Sequence, residues 1–178
     1  PMYLLREHAI ETQLYAARLT SVLLFMLTVV CALGVAAALT APGHPLRWML
    51  PCTTALLPAF ADLMTAVNSD VGAIAAFSLF LWGSVRLMNP RGEPRRAKQV
   101  LFQLAWVLAA AALCLRVKGT SAPALVLVPI VLLFSALRGR RRPVAWGLFG
   151  LGSVAALVAV FTFGDASLWY RNPYALQS

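Results

Sequence analysis

Apolar and polar residues are distributed along this chain in long blocks and do not alternate. Six blocks are long and apolar enough to predict membrane-spanning helices, at Leu19–Leu39, Trp48–Val67, Val71–Leu87, Gln99–Leu115, Ala122–Leu137 and Pro143–Phe163. A helix rises 1.5 Å per residue, so about 20 residues cross a hydrocarbon core of about 30 Å. Ahead of the first block, Tyr3, Ile10, Leu14 and Ala17 recur at helical spacing while Arg6, Glu7, Glu11 and Gln13 take other faces. That pattern predicts an amphipathic helix over residues 1–18 lying in the membrane interface. The expected fold is therefore all-α and polytopic. An interfacial helix (1–18) leads into a six-helix transmembrane region (19–163) and an aromatic-rich tail (164–178).

Composition agrees: 61% of the 178 residues are hydrophobic, 12% are charged, and the mean hydropathy is +0.78. No block is left for a soluble domain between the spans. The net charge of +9 would suggest nucleic acid in a soluble chain. Here the basic residues crowd into short loops between apolar blocks, where topology and anionic lipid explain them, so no nucleic-acid partner is expected. RGRRR at 138–142 reads as a cytoplasmic anchor. Ten of the fifteen basic residues follow the first, third and fifth blocks: Arg47, then Arg86, Arg91, Arg95, Arg96 and Lys98, then Arg138, Arg140, Arg141 and Arg142. The positive-inside rule puts those loops in the cytoplasm and both ends of the chain outside a cell membrane. An outside start with no h-region or cleavage site in Pro1–Arg18 leads to the expectation of an odd number of helices upstream, in a longer polytopic protein. A processed chain would look the same.

Cys31, Cys52 and Cys114 lie in or beside separate spans without C-x-x-C spacing and read as small buried apolar residues. His8 and His44 fall on opposite sides and form no metal pair. Within the second block, Pro51 and Pro58 point to a helix packed inside a bundle, where neighbours satisfy the freed carbonyls. Asp62 in the same block is costly in lipid. It either bonds to a neighbouring helix or lines a proton or substrate path. The outer turn Asn68-Ser69-Asp70 holds polar groups at the external surface, with Asp70 either an N-cap for the next helix or a site residue. The next outer turn carries Arg116 and Lys118, on the side where cations are disfavoured. They either snorkel to ordinary lipid phosphates or meet the phosphate of a specific lipid substrate. The Trp169-Tyr170 tail is either an interfacial aromatic belt or a loop facing sugar.

The runs Arg18-Leu-Thr-Ser21, Leu57-Pro58-Ala-Phe60, Ala66-Val67-Asn68-Ser69-Asp70-Val71-Gly72 and Lys118-Gly119-Thr120, in this order and spacing, resemble the central part of the C-type membrane glycosyltransferases. That family includes protein mannosyltransferases and the aminoarabinose transferases of lipid A, and takes sugar from a polyprenyl phosphate carrier at the outer face. The resemblance implies that Lys118, with Arg116, meets the carrier phosphate, that Asn68 binds substrate, and that Asp70 holds a divalent metal ion or orients the acceptor. The acceptor base would come from an external loop upstream of residue 1, so catalysis by these 178 residues alone is in doubt. Two other readings stand beside this one: an accessory subunit packed among other membrane chains, and a transporter or lipid flippase using Asp62 and the proline-bearing helix.

Overall fold

The structure, a computed structural model, describes residues 10–67, 69–88, 97–117, 123–138, 147 and 150–154. Every described element is an α-helix: α1 (Ile10–Leu39), α2 (Leu46–Leu56), α3 (Pro58–Thr65), α4 (Ser69–Met88), α5 (Ala97–Val117) and α6 (Pro123–Arg138). The chain divides into two units at Ala124/Leu125.

Among the described residues three helices, α1, α4 and α5, are long and apolar enough to cross a membrane, where the sequence predicts six over the whole chain. The second predicted span is broken. Pro58 crowds the residue before it out of the helical region, and Leu57 accordingly sits at φ −70°, ψ 110°. Leu57 ends α2, its N–H bonding to Thr53 O at 3.0 Å, and its own carbonyl starts α3 by accepting from Phe60 and Ala61 at 3.0 and 2.9 Å. The result is two helices of 11 and 8 residues. The fifth span, α6, is too short at 16 residues and carries Pro129 inside it. The sixth, at 143–163, lies largely outside the described residues, although 150–154 are helical. A Cβ at Gly152 would meet Leu132 Cδ1 at 3.2 Å and Pro129 Cα at 3.5 Å, so that short helical stretch lies close on α6.

The stretch before the first span is described only from Ile10. From Ile10 onward the chain is continuous with the first span, as one helix of 30 residues. No glycine, proline or capping turn interrupts Ile10–Leu39 before Gly34, and the polar residues Arg18 and Thr20 do not stop helix propagation. Residues 1–9 and the 164–178 tail lie outside the described residues.

Turn chemistry and side-chain pairs fix the packing of the first unit. Thr40 closes α1 by bonding back to Ala36 O through both its N–H (2.9 Å) and its hydroxyl (2.6 Å). Gly43, at φ +86°, supplies the left-handed residue that the reversal needs. The broken segment then returns along α1. Phe25 meets Phe60 at 6.0 Å between ring centroids, and Ser21 Oγ donates to Ala66 O at 3.2 Å. A second hairpin joins α4 and α5: a Cβ at Gly72 would lie 3.1 Å from Val117 Cγ1, and one at Gly83 would lie 2.5 Å from Trp106 Cδ1. Helices therefore approach at glycines, as small residues permit where helices pack in lipid. The face of α5 that repeats Val107, Ala110, Ala111 and Cys114 is buried, as are Phe80, Val71 and Met64. Outward faces are apolar too, with Leu19, Leu23, Met26 and Val30 of α1 and Leu101 and Phe102 of α5 exposed, a pattern compatible with a membrane. Of the three cysteines, Cys31 and Cys114 are buried as expected, but Cys52 is exposed on α2.

Ser84 is 2% exposed, and its hydroxyl has no hydrogen-bond partner among the described residues. An unsatisfied buried hydroxyl costs about 1–3 kcal/mol, so Ser84→Ala is expected to stabilise the protein by about 1 kcal/mol in thermal unfolding. A loss of stability would show that the hydroxyl is satisfied after all.

Candidate functional site

The hairpin registers sort charge to two ends of the first unit. At one end stand Arg47 near the start of α2, Arg86 in the last turn of α4 and Lys98 in the first turn of α5. The described acids, Glu11, Asp62 and Asp70, all lie toward the other end, together with Arg18 and Arg116.

At this mixed end α1 and the close of α3 enclose an open recess of about 630 Å³. Arg18 lines it from α1, and Asp62 and Thr65 line it from α3. The local fold explains the opening. The last turn of α3 ends when the Ala66 N–H bonds to Asp62 O at 3.1 Å and Ala66 turns extended, at φ −65°, ψ 147°. Thr65 turns its hydroxyl back to Ala61 O at 2.9 Å. The Asp62 and Arg18 side chains are both exposed, and no ion pair joins them. A guanidinium and a carboxylate thus face one space with their hydrogen-bonding capacity available, five donors on one and two acceptor oxygens on the other.

Farther along the same helices lies a groove of about 430 Å³ between α1, the α2–α3 break and α4. Its walls are mostly apolar and include Val35, Leu57, Phe60, Ile74 and Leu81, with the hydroxyls of Thr28 and Ser78 among them. Val22 of the recess and Thr28 of the groove are six positions apart on α1, about 9 Å of helix. The recess and the groove are two separate cavities that have α1 as a common wall.

The residues singled out by sequence fall as follows. Asp70 stands in the first turn of α4, half-buried, where the helix dipole favours a carboxylate; α4 starts at Ser69, so Asp70 is inside the helix and is not its N-cap. Arg116 is exposed in the last turn of α5. The Gly72–Val117 approach puts these two helix ends at one level, but neither side chain lines the recess. Asn68 and Lys118 lie outside the described residues. Among the described residues the Asp62 carboxylate has no partner on a neighbouring helix, the first of the two alternatives its sequence position leaves open. The role of Arg18 opposite it, and of Thr65 beside it, is visible only once α1 and α3 are paired. No three His, Cys, Asp or Glu side chains gather to hold a metal ion among the described residues, so the residues described do not by themselves form the divalent site expected at Asp70.

No protein-family model matches this chain, and neither a curated protein nor a solved structure does. The likeness to the C-type glycosyltransferases therefore rests on the short runs of residues that carry it.

Proposed function

We propose that this chain belongs to a multi-pass membrane protein that holds a polyprenyl-phosphate-linked sugar at the outer face of the cell membrane and serves its transfer. The observation that carries the reading is the recess between α1 and α3, where Arg18 and Asp62 face one space beside the apolar Leu14, Val22 and Val67, because the ligand it calls for is a lipid with a polar, phosphate-bearing head. In this topology the Arg47, Arg86 and Lys98 end is cytoplasmic, in line with the positive-inside rule. The α2–α3 segment makes one pass of 20 residues, Leu46–Thr65, and the N–H and carbonyl of Leu57 at its break are satisfied within the segment, as backbone in a bilayer must be.

The chemistry follows from the residue types. Transfer of the sugar leaves a phosphate whose developing charge needs a cation held ready at the membrane surface, the part taken by Lys118 and Arg116. Arg18 holds the phosphate in the recess, and Asp62 accepts hydrogen bonds from sugar hydroxyls. Asp70 orients the acceptor, and no step is assigned to a metal ion. Lys118→Ala and Asp70→Asn are each expected to lower sugar transfer from a polyprenyl-phosphate donor by about 10²-fold or more while leaving membrane insertion intact. Unchanged transfer in both variants would overturn the site assignment.

The break at Leu57–Pro58, four residues before Asp62, favours a second reading: movement of the lipid across the membrane along a discontinuous helix. The two are separated by reconstitution into vesicles, where a flippase moves labelled polyprenyl phosphate between leaflets without any acceptor and a transferase does not.

A further inference from the structure

The cationic end holds a third pocket, of about 140 Å³, between α4 and α5, lined by Trp82, Gly83, Arg86, Phe102, Gln103 and Trp106. Its construction is specific. Gly83 leaves room for Trp106 to lean over α4, since a Cβ there would stand 2.5 Å from Trp106 Cδ1. The Trp106 indole N–H points to Leu79 O at 3.4 Å, so the apolar part of the ring is left to the pocket. Trp82 meets Trp106 edge-on, with centroids 6.3 Å apart and planes at 81°, and Phe102 lies 6.4 Å from Trp106 on the outer side. Arg86 is laid over the face of Trp82, its guanidinium carbon 5.3 Å from the ring centroid. That stacking orients a planar, permanently charged donor at the pocket rim.

We propose that this pocket binds one anionic phospholipid of the cytoplasmic leaflet, with its phosphate on Arg86 and Gln103 and the start of an acyl chain along Phe102 and Trp106. The inference rests on the membrane topology proposed above but not on sugar transfer. Charge complementarity selects the occupant. Arg47, Arg86 and Lys98 mark this end, and the segment that joins α4 to α5 holds Arg91, Arg95 and Arg96 against a single acid, Glu93. Anionic headgroups are the abundant negative partners at that depth, and a juxtamembrane cation is attracted to them. The aromatic wall argues for lipid over a free anion. Phe102 is 68% exposed on the flank of the helix pair, where a soluble phosphate would gain nothing from it and an acyl chain would cover it.

The test is native mass spectrometry of the full chain in detergent, titrated with phosphatidylglycerol, phosphatidylcholine or inorganic phosphate. One phosphatidylglycerol is expected to be retained in preference to phosphatidylcholine. Arg86→Gln is expected to lower that retention about fivefold, and Arg86→Lys to restore most of it. Arg18→Gln, at the opposite end, is expected to leave it unchanged, so loss of polyprenyl phosphate binding in that variant reports on the proposed function alone. Equal retention of the two phospholipids, competition by inorganic phosphate, or indifference to Arg86→Gln would each overturn the proposal.

Discussion

Gly34→Ala is expected to destabilise the protein by about 3 kcal/mol, against the direction that helix propensity dictates. In an exposed helix interior the same change would favour folding by up to about 1 kcal/mol, because alanine loses less backbone freedom. Here the new methyl has nowhere to go. It would fall directly on the indole of Trp82, 2.7 Å from Cδ1 and closer still to the neighbouring ring atoms. Trp82 cannot slide aside without disturbing what holds it, since Trp106 abuts its ring edge-on and Arg86 covers its face. The cost is therefore shared by the α1–α4 and α4–α5 interfaces. A double-mutant cycle with Trp82→Leu checks the cause. Once the indole is gone, Gly34→Ala is expected to cost little, giving a coupling of about 2 kcal/mol in denaturation followed by circular dichroism. Additive losses would mean that Gly34 matters for another reason.

Such a contact is beyond hydropathy, and its invisibility marks where sequence reasoning stopped. The third, fourth and fifth apolar blocks, predicted at Val71–Leu87, Gln99–Leu115 and Ala122–Leu137, match α4, α5 and α6 to within two residues at each end. Their ends coincide with turn residues or with charges such as Arg86 and Arg116, which hydropathy reads well. The first block was cut at Leu19 because Arg18 and the polar residues before it end the apolar run. A helix, however, is a matter of backbone hydrogen bonds, and those run back to Ile10. The second block reads as unbroken across Pro58, because a packed span tolerates proline, whereas the restriction that Pro58 places on Leu57 breaks it. Proline at the first position of a new helix is as natural as proline inside an old one, and the structure adopts the former.

The candidate site was legible in its parts and not in their pairing. Asp62 stood out as an acid within an apolar block. Arg18 entered only through a run of residues resembling a family, with no partner suggested. The pairing follows from folding the chain back at Gly43, since a residue 25 positions before that turn lies roughly level with one 25 after it, which sets Arg18 beside the outer end of α3. The rotation of each helix about its axis, which decides that Arg18 and Asp62 share a recess, is carried by small contacts such as Ser21 Oγ to Ala66 O. No periodicity in either segment encodes that.

Arg18 and Asp62 carry the other large effect, and their opposite charges make it diagnostic. Arg18→Gln is expected to weaken binding of a polyprenyl phosphate about tenfold or more, with or without an attached sugar. A charged hydrogen bond contributes about 1.5–3 kcal/mol, and 1.4 kcal/mol is a factor of ten. Asp62→Asn should act in two directions. Removing a negative charge from a recess that receives a phosphate strengthens binding of the bare carrier. Replacing two acceptor oxygens by one acceptor and one donor group weakens the grip on sugar hydroxyls, so binding of the sugar-bearing carrier falls about tenfold. The ratio of the two affinities, read by titration of the purified protein with each lipid, therefore inverts in Asp62→Asn and holds in Arg18→Gln. If Asp62 only steadied the end of α3, the substitution would weaken both lipids alike and lower thermal stability, and its place in the recess would have no bearing on the ligand.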